Sequence, residues 1–225
     1  MNHLVNFEKL NIDSWLYKEI VSANVKTLRN SLGVVLINYE MNRDSLKNIP
    51  YRRYFDMALV AVWKSSEGFG SDKVILSRSI CKLWEISSDD ELIDMALKYA
   101  PDAYGFWFLP ISEYLGMSGV DCQDDISLDM YILTNRALDY GASAVCYSGM
   151  LDFISKELGC GYYIFPANIH HMLVVPETVS FIEREAYRRG IIDVNDFTLP
   201  IGEFLSNRTY YYDKDTEELI MDDAL

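Results

Sequence analysis

The feature that most constrains this chain is the shortness of the links between its strand-like runs. Runs rich in β-branched and aromatic residues recur over 34–39, 55–63, 73–77, 130–134, 142–147, 162–165, 172–175, 209–212 and 218–221. Neighbouring runs are joined by short stretches: one around Gly68-Phe69-Gly70, then 135–141, 166–171 and 213–217. A parallel pair needs a crossover of roughly a dozen residues or more, whereas an antiparallel pair closes through a short turn. The expected fold is therefore α+β, a mixed, largely antiparallel sheet with helices packed on it, built from hairpin-plus-helix units.

Helix signals fall between these runs. Asp13 is placed to cap a helix through Trp15, Leu16, Glu19, Ile20 and Ala23, with Gly33 ending that segment. A short helix is expected over 42–48, stopped before Pro50, and another over 79–85. Ser88 with Glu91 three residues on makes a capping box for a helix that Pro101 should end. In the second half a helix is expected from Gly149 to Leu158, stopped at Gly159. A further one is capped by Thr178 and closed by Arg188, Arg189 and Gly190. The stretch 104–125, with its aromatic cluster and its Asp121, Asp124 and Asp125, reads as a connection. It suggests two α+β halves, 1–120 and 121–225, or one domain over the whole length.

Twenty basic against 34 acidic residues give a net charge of −14. Such a surface repels a phosphate backbone, so direct nucleic-acid binding is not expected. The acidic residues gather over 88–94, 121–129 and 213–223, where a partner with a basic surface would dock, and Arg52-Arg53 reads as a solvated turn paired with local acids. No apolar run approaches the roughly 20 residues of a membrane span, and residues 1–10 lack the pattern of a secretory signal. A cytoplasmic protein without membrane contact is expected. Cys81, Cys122, Cys146 and Cys160 form no CxxC and read as small buried hydrophobes.

One constellation bears on chemistry: Asn135, Ser148, Asp152, Asn168, His170 and His171. Ser148 sits between a strand run and a helix, as in a nucleophile elbow, but Met150 two residues on is too bulky for that strained turn. It reads instead as a helix N-cap. His170 and His171 are adjacent, so on extended backbone their rings diverge, and no HxH, HxxxH or HExxH spacing supplies another metal ligand. A structural His170 is the first reading, with a general base helped by Asn135, Asn168 or His171 behind it. No phosphate-binding loop occurs, and neither a metal nor a cofactor is expected. Along Tyr210-Tyr211-Tyr212, alternation should bury either Tyr211 or its two neighbours.

Several strings resemble an uncharacterised domain-of-unknown-function family, number 5688, of anaerobic gut bacteria, often carried on mobile elements. They are Leu36-Ile37-Asn38-Tyr39-Glu40, Ile49-Pro50-Tyr51-Arg52-Arg53, Leu83-Trp84, Ile132-Leu133-Thr134-Asn135, Gly141-Ala142-Ser143, Ile164-Phe165-Pro166 through Ile169-His170, and Tyr210-Tyr211-Tyr212-Asp213. The chain departs from the family pattern at Ala167-Asn168, where members carry two serines, and at His171, where they carry glutamate. The resemblance implies no activity.

Three functional expectations result. The first is a non-catalytic protein that binds another protein as an accessory of a mobile element. The second is an acidic mimic of nucleic acid that inhibits a bacterial defence nuclease. The third is a hydrolase-like enzyme with His170 as base. The oligomeric state is open.

Overall fold

The structure is a computed structural model that describes residues 4–6, 14–64, 73–117 and 129–222. Its contacts divide the chain into two compact units, Met1–Gly105 and Phe106–Leu225.

In the first unit β2 (Leu32–Asn38) and β4 (Met57–Lys64) pair antiparallel along their whole length. Every residue of β2 and all but Lys64 of β4 are buried, which is why both read as unbroken apolar runs rather than alternating ones. The other edge of β4 is shared by β3 (Tyr51–Tyr54) and β5 (Lys73–Ile75), both antiparallel to it, and β1 (Leu4–Asn6) adds to β5 in parallel. The hairpin expected from β4 to β5 is present, although Gly68-Phe69-Gly70 lies outside the described residues.

Among the described residues this unit has the α-helices α1 (Trp15–Val21), α2 (Val25–Ser31), α3 (Tyr39–Asn42), α4 (Arg78–Leu83) and α5 (Asp89–Tyr104). The cap of α1 is Ser14, whose hydroxyl accepts the Tyr17 N–H, rather than Asp13, which lies outside the described residues. The expected single first helix is two, because Asn24 and Thr27 form their own capping box and start α2. Tyr39 opens α3 instead of closing the preceding strand, and the expected 42–48 helix is the end of α3 followed by a 3-10 turn at Ser45–Asn48.

Gly33 does not end a helix; it lies inside β2, where any Cβ would overlap the Tyr104 ring of α5. Pro101 does not end α5 either. It sits in the last turn, where the missing N–H forfeits only the bond to the Leu97 carbonyl, and the helix runs on to Gly105 at φ 60°. Leu92, Ile93, Ala96, Ala100 and Tyr104 are its buried face. Arg52 and Arg53 lie on β3, not in a turn.

The second unit is built on an antiparallel sheet in the order β11-β10-β8-β9-β7-β6. These strands are β6 (Trp107–Pro110), β7 (Tyr131–Thr134), β8 (Tyr162–Asn168), β9 (His171–Pro176), β10 (Thr209–Asp213) and β11 (Glu218–Asp222). The stretch read as a connection therefore contributes edge strand β6 and α6 (Ile111–Met117), while its acidic end lies outside the described residues. The run 142–147 is not a strand. Gly141–Cys146 winds as a 3-10 helix whose small side chains, Gly141 to Val145, are all buried. A short apolar run does not by periodicity distinguish buried strand from buried helix.

Helix α7 (Met150–Leu158) starts from Gly149 at φ 74°, so Ser148 is exposed and is not its N-cap. Helix α8 (Phe181–Phe197) starts from Ser180, whose hydroxyl and Glu183 form a capping box, rather than from Thr178. It continues through Gly190 for another two turns. A core of Met130, Phe165, Val175 and Val179 lies on the sheet, with Tyr187 and Ile191 of α8 packed against it.

Candidate functional site

The chemistry-bearing residues of the second unit converge where β7, the β8–β9 hairpin and the chain before β10 meet. Asn135 follows β7 and organises the next turn. Its Oδ1 accepts the N–H groups of Ala137 (3.1 Å) and Asp139 (3.2 Å), and its Nδ2 donates to the Asp139 carbonyl (2.7 Å). Leu138 and Tyr140 are held left-handed, each at φ 54°. Gly141 then passes so close to Thr134 Oγ1, the Asn135 nitrogen and the His170 carbonyl that no Cβ fits.

The β8–β9 turn is tied by Asn168. Its Oδ1 accepts from the backbone N–H of His170 (2.8 Å) and of His171 (3.0 Å), and lies 3.2 Å from His171 Nδ1. Thr134 Oγ1 donates to the His170 carbonyl at 2.8 Å, which stitches this turn to the end of β7.

The protonation of both rings follows from these partners. The Tyr140 N–H donates to His170 Nδ1 at 2.9 Å, so that nitrogen is the acceptor and the neutral ring carries its proton on Nε2. Nε2 faces Glu203 Oε2 at 3.8 Å, and Asp139 Oδ1 lies 3.4 Å from Nδ1. Because Asn168 Oδ1 can only accept, His171 carries its proton on Nδ1, and its Nε2 accepts the Tyr114 hydroxyl proton at 3.0 Å. Burial first, and the electrostatic effect of having a second imidazole beside it, push the His171 pKa down to about 4. A general base needs an available ring lone pair. The one on His170 is taken by a backbone N–H, and the one on His171 by a phenol.

Asn135, Asn168, His170 and His171 are thus brought together. Asp152 instead pairs with Lys156 on the exposed side of α7 at 2.6 Å, and Ser148 stands exposed ahead of that helix. Tyr114, Asp139, Tyr140 and Glu203 belong to the cluster but carry no signal in the sequence, since Tyr114, the Asp139-Tyr140 turn and Glu203 arrive from three separate segments without a motif. Among the described residues no three His, Cys, Asp or Glu are grouped to hold a metal. Cys81, Cys146 and Cys160 are half-buried and belong to no disulfide among the described residues, and Cys122 lies outside them.

The acidic stretch that opens α5 is largely balanced within its own unit. Arg52 bonds Asp90 (2.7 Å) and Asp94 (2.8 Å), and Arg78 pairs with Asp89. Arg53 lies over the Tyr39 ring at 3.6 Å and donates to the Phe55 carbonyl. On β10, Tyr210 and Tyr212 are buried and Tyr211 is half-buried, its hydroxyl donating to Glu177 at 2.6 Å. No described helix is long and apolar enough to cross a membrane.

These features define a class: an α+β protein of two compact units whose histidine pair holds two turns together. The chain belongs to a family of unknown function (DUF5688), whose profile it matches over residues 9–214. No curated protein and no solved structure matches it.

Proposed function

We propose that this protein acts by binding another protein and performs no chemistry of its own. The observation that carries the reading is the outward side of α8 and the turn after it. Ile182 is 79% exposed, Phe197 85% and Ile201 79%, although the same helix packs Tyr187 and Ile191 on the core. Large apolar side chains clustered on a surface mark association sites. The engagement of both histidine lone pairs supports the same reading. A role as accessory of a mobile element is what the family resemblance implies. The nucleic-acid-mimic alternative draws less support, because Asp89, Asp90 and Asp94 already face Arg78 and Arg52.

The test is co-purification from the encoding host, comparing the wild-type chain with Ile182→Asp/Phe197→Asp. The reading expects a specific protein retained by the first and lost by the second, with equal thermal stability of the two. Equal retention by both, or turnover of a small molecule that His170→Gln abolishes, overturns it.

A further inference from the structure

The outer face of α8 has a pattern of its own. At 100° per residue, Ile182, Ala186, Gly190, Asp193 and Phe197 fall within one narrow sector of this helix, and all are exposed. The inner side is fixed by other residues: Tyr187 and Ile191 pack on the core, Arg184 covers the Tyr163 ring at 3.9 Å, and buried Asn195 donates to Asn207. Helix rotation therefore does not hide the apolar face.

The two bulky residues of this face stand at near-equal distances from its middle: Ile182 is eight residues before Gly190 and Phe197 seven after it, with small Ala186 on one side of Gly190 and Asp193 on the other. Gly190 is unexplained by the unit's own packing, since a Cβ there meets nothing within 4 Å. A mid-helix glycine nevertheless costs about 1 kcal/mol relative to alanine.

We infer that this face pairs with the same face of a second copy of the chain, the two α8 helices antiparallel and crossing at Gly190. The inference rests on the reading that the protein works by association, and it names the partner. Antiparallel pairing sets Ile182 of each copy against Phe197 of the other and lets the backbones approach at Gly190, with Ala186 of each copy facing Asp193 of the other. Such an interface is isologous, so one self-complementary patch closes it. Charge selects the direction. Arg189, with a side chain 76% exposed, flanks the face, and exposed Asp193 lies on it one turn further along. In the antiparallel arrangement Arg189 of one copy comes beside Asp193 of the other, twice over, whereas a parallel arrangement would set like charges together. Glu185 is held closely by Arg188 at 2.9 Å and more loosely by Arg189 at 3.8 Å, so the exposed Arg189 guanidinium gives up only the longer of the two contacts in reaching across.

Sedimentation velocity on the full chain from about 1 to 200 µM tests this at the scale of weak association. The expected result is a concentration-dependent shift from monomer to dimer. Phe197→Asp should remain monomeric throughout, and Gly190→Leu should weaken the dimer roughly tenfold or more without lowering thermal stability. Arg189→Asp should weaken it, and Arg189→Asp/Asp193→Arg should restore it. A wild-type chain that stays monomeric throughout overturns the inference, as does a Phe197→Asp dimer of undiminished affinity. If the chain is monomeric but Ile182→Asp/Phe197→Asp still loses a different co-purifying protein, self-pairing fails and association stands. If that retention is also unchanged, both fail.

Discussion

The histidine cluster and the outer face of α8 belong to the same unit and use their side chains in opposite ways. The cluster gathers the residues usually associated with catalysis and engages them: Asn168 Oδ1 faces three donors, and each histidine lone pair has a partner. The α8 face takes residues usually placed in a core and turns them outward, Phe197 at 85% exposure above all. On the proposed reading, reactive residue types do not mark the working surface when the fold itself engages them, and apolar residues the fold leaves uncovered are the better guide.

That contrast is open to attack at both ends. The largest expected effect is at Gly141, where a methyl group would overlap two backbone atoms, the Asn135 nitrogen and the His170 carbonyl. Gly141→Ala should destabilise the protein by about 3 kcal/mol, read from chemical denaturation. A loss under about 1 kcal/mol would mean that the cluster is not rigid.

Acid should act next. The folded His171 pKa of about 4 lies below its ordinary 6.5, so the unfolded chain takes up this proton first as the pH falls. The stability it contributes is complete above pH 6.5 and is lost on acidification towards pH 4. Between pH 8 and 5 the expected loss is about 2 kcal/mol, and the slope should vanish in His171→Gln. Asn168→Ala, which strands two backbone donors and one ring donor, should cost about 1–3 kcal/mol, with Asn168→Asp recovering part of it. At the α8 face the sign of the expectation changes. Ile182→Ser/Phe197→Ser should alter monomer stability by no more than about 0.5 kcal/mol. Gly190→Ala should raise it, by up to about 1 kcal/mol.

Much of the fold is legible in the sequence, and the misreadings have a common cause. The hairpins β4–β5, β8–β9 and β10–β11 follow from short links, and α5 starts where Ser88 and Glu91 predict. Gly33, Pro101 and Gly190 read as stops and are not. Gly33 admits a ring that arrives from 71 residues away, Pro101 falls where only one bond is lost, and Gly190 faces outward. Strand β3 escaped because Arg52 and Arg53 read as a solvated turn, while the acids that hold Arg52 come from α5.

In the site, Asn135, Asn168, His170 and His171 were legible as residue types, and three of the family-like strings meet around Gly141. Tyr114, Asp139 and Glu203 were not, because only the sheet order brings them to the histidines. The α8 face escaped as well, since the helix was expected to end at Gly190 and Phe197 therefore lay outside it.

Hydroxyl-radical footprinting of the full chain at low and high concentration addresses the central claim most directly. The account predicts that labelling of Ile182 and Phe197 falls as the protein is concentrated, while Tyr140 and His170 keep one level throughout. Phe197 labelling that does not change with concentration would contradict it.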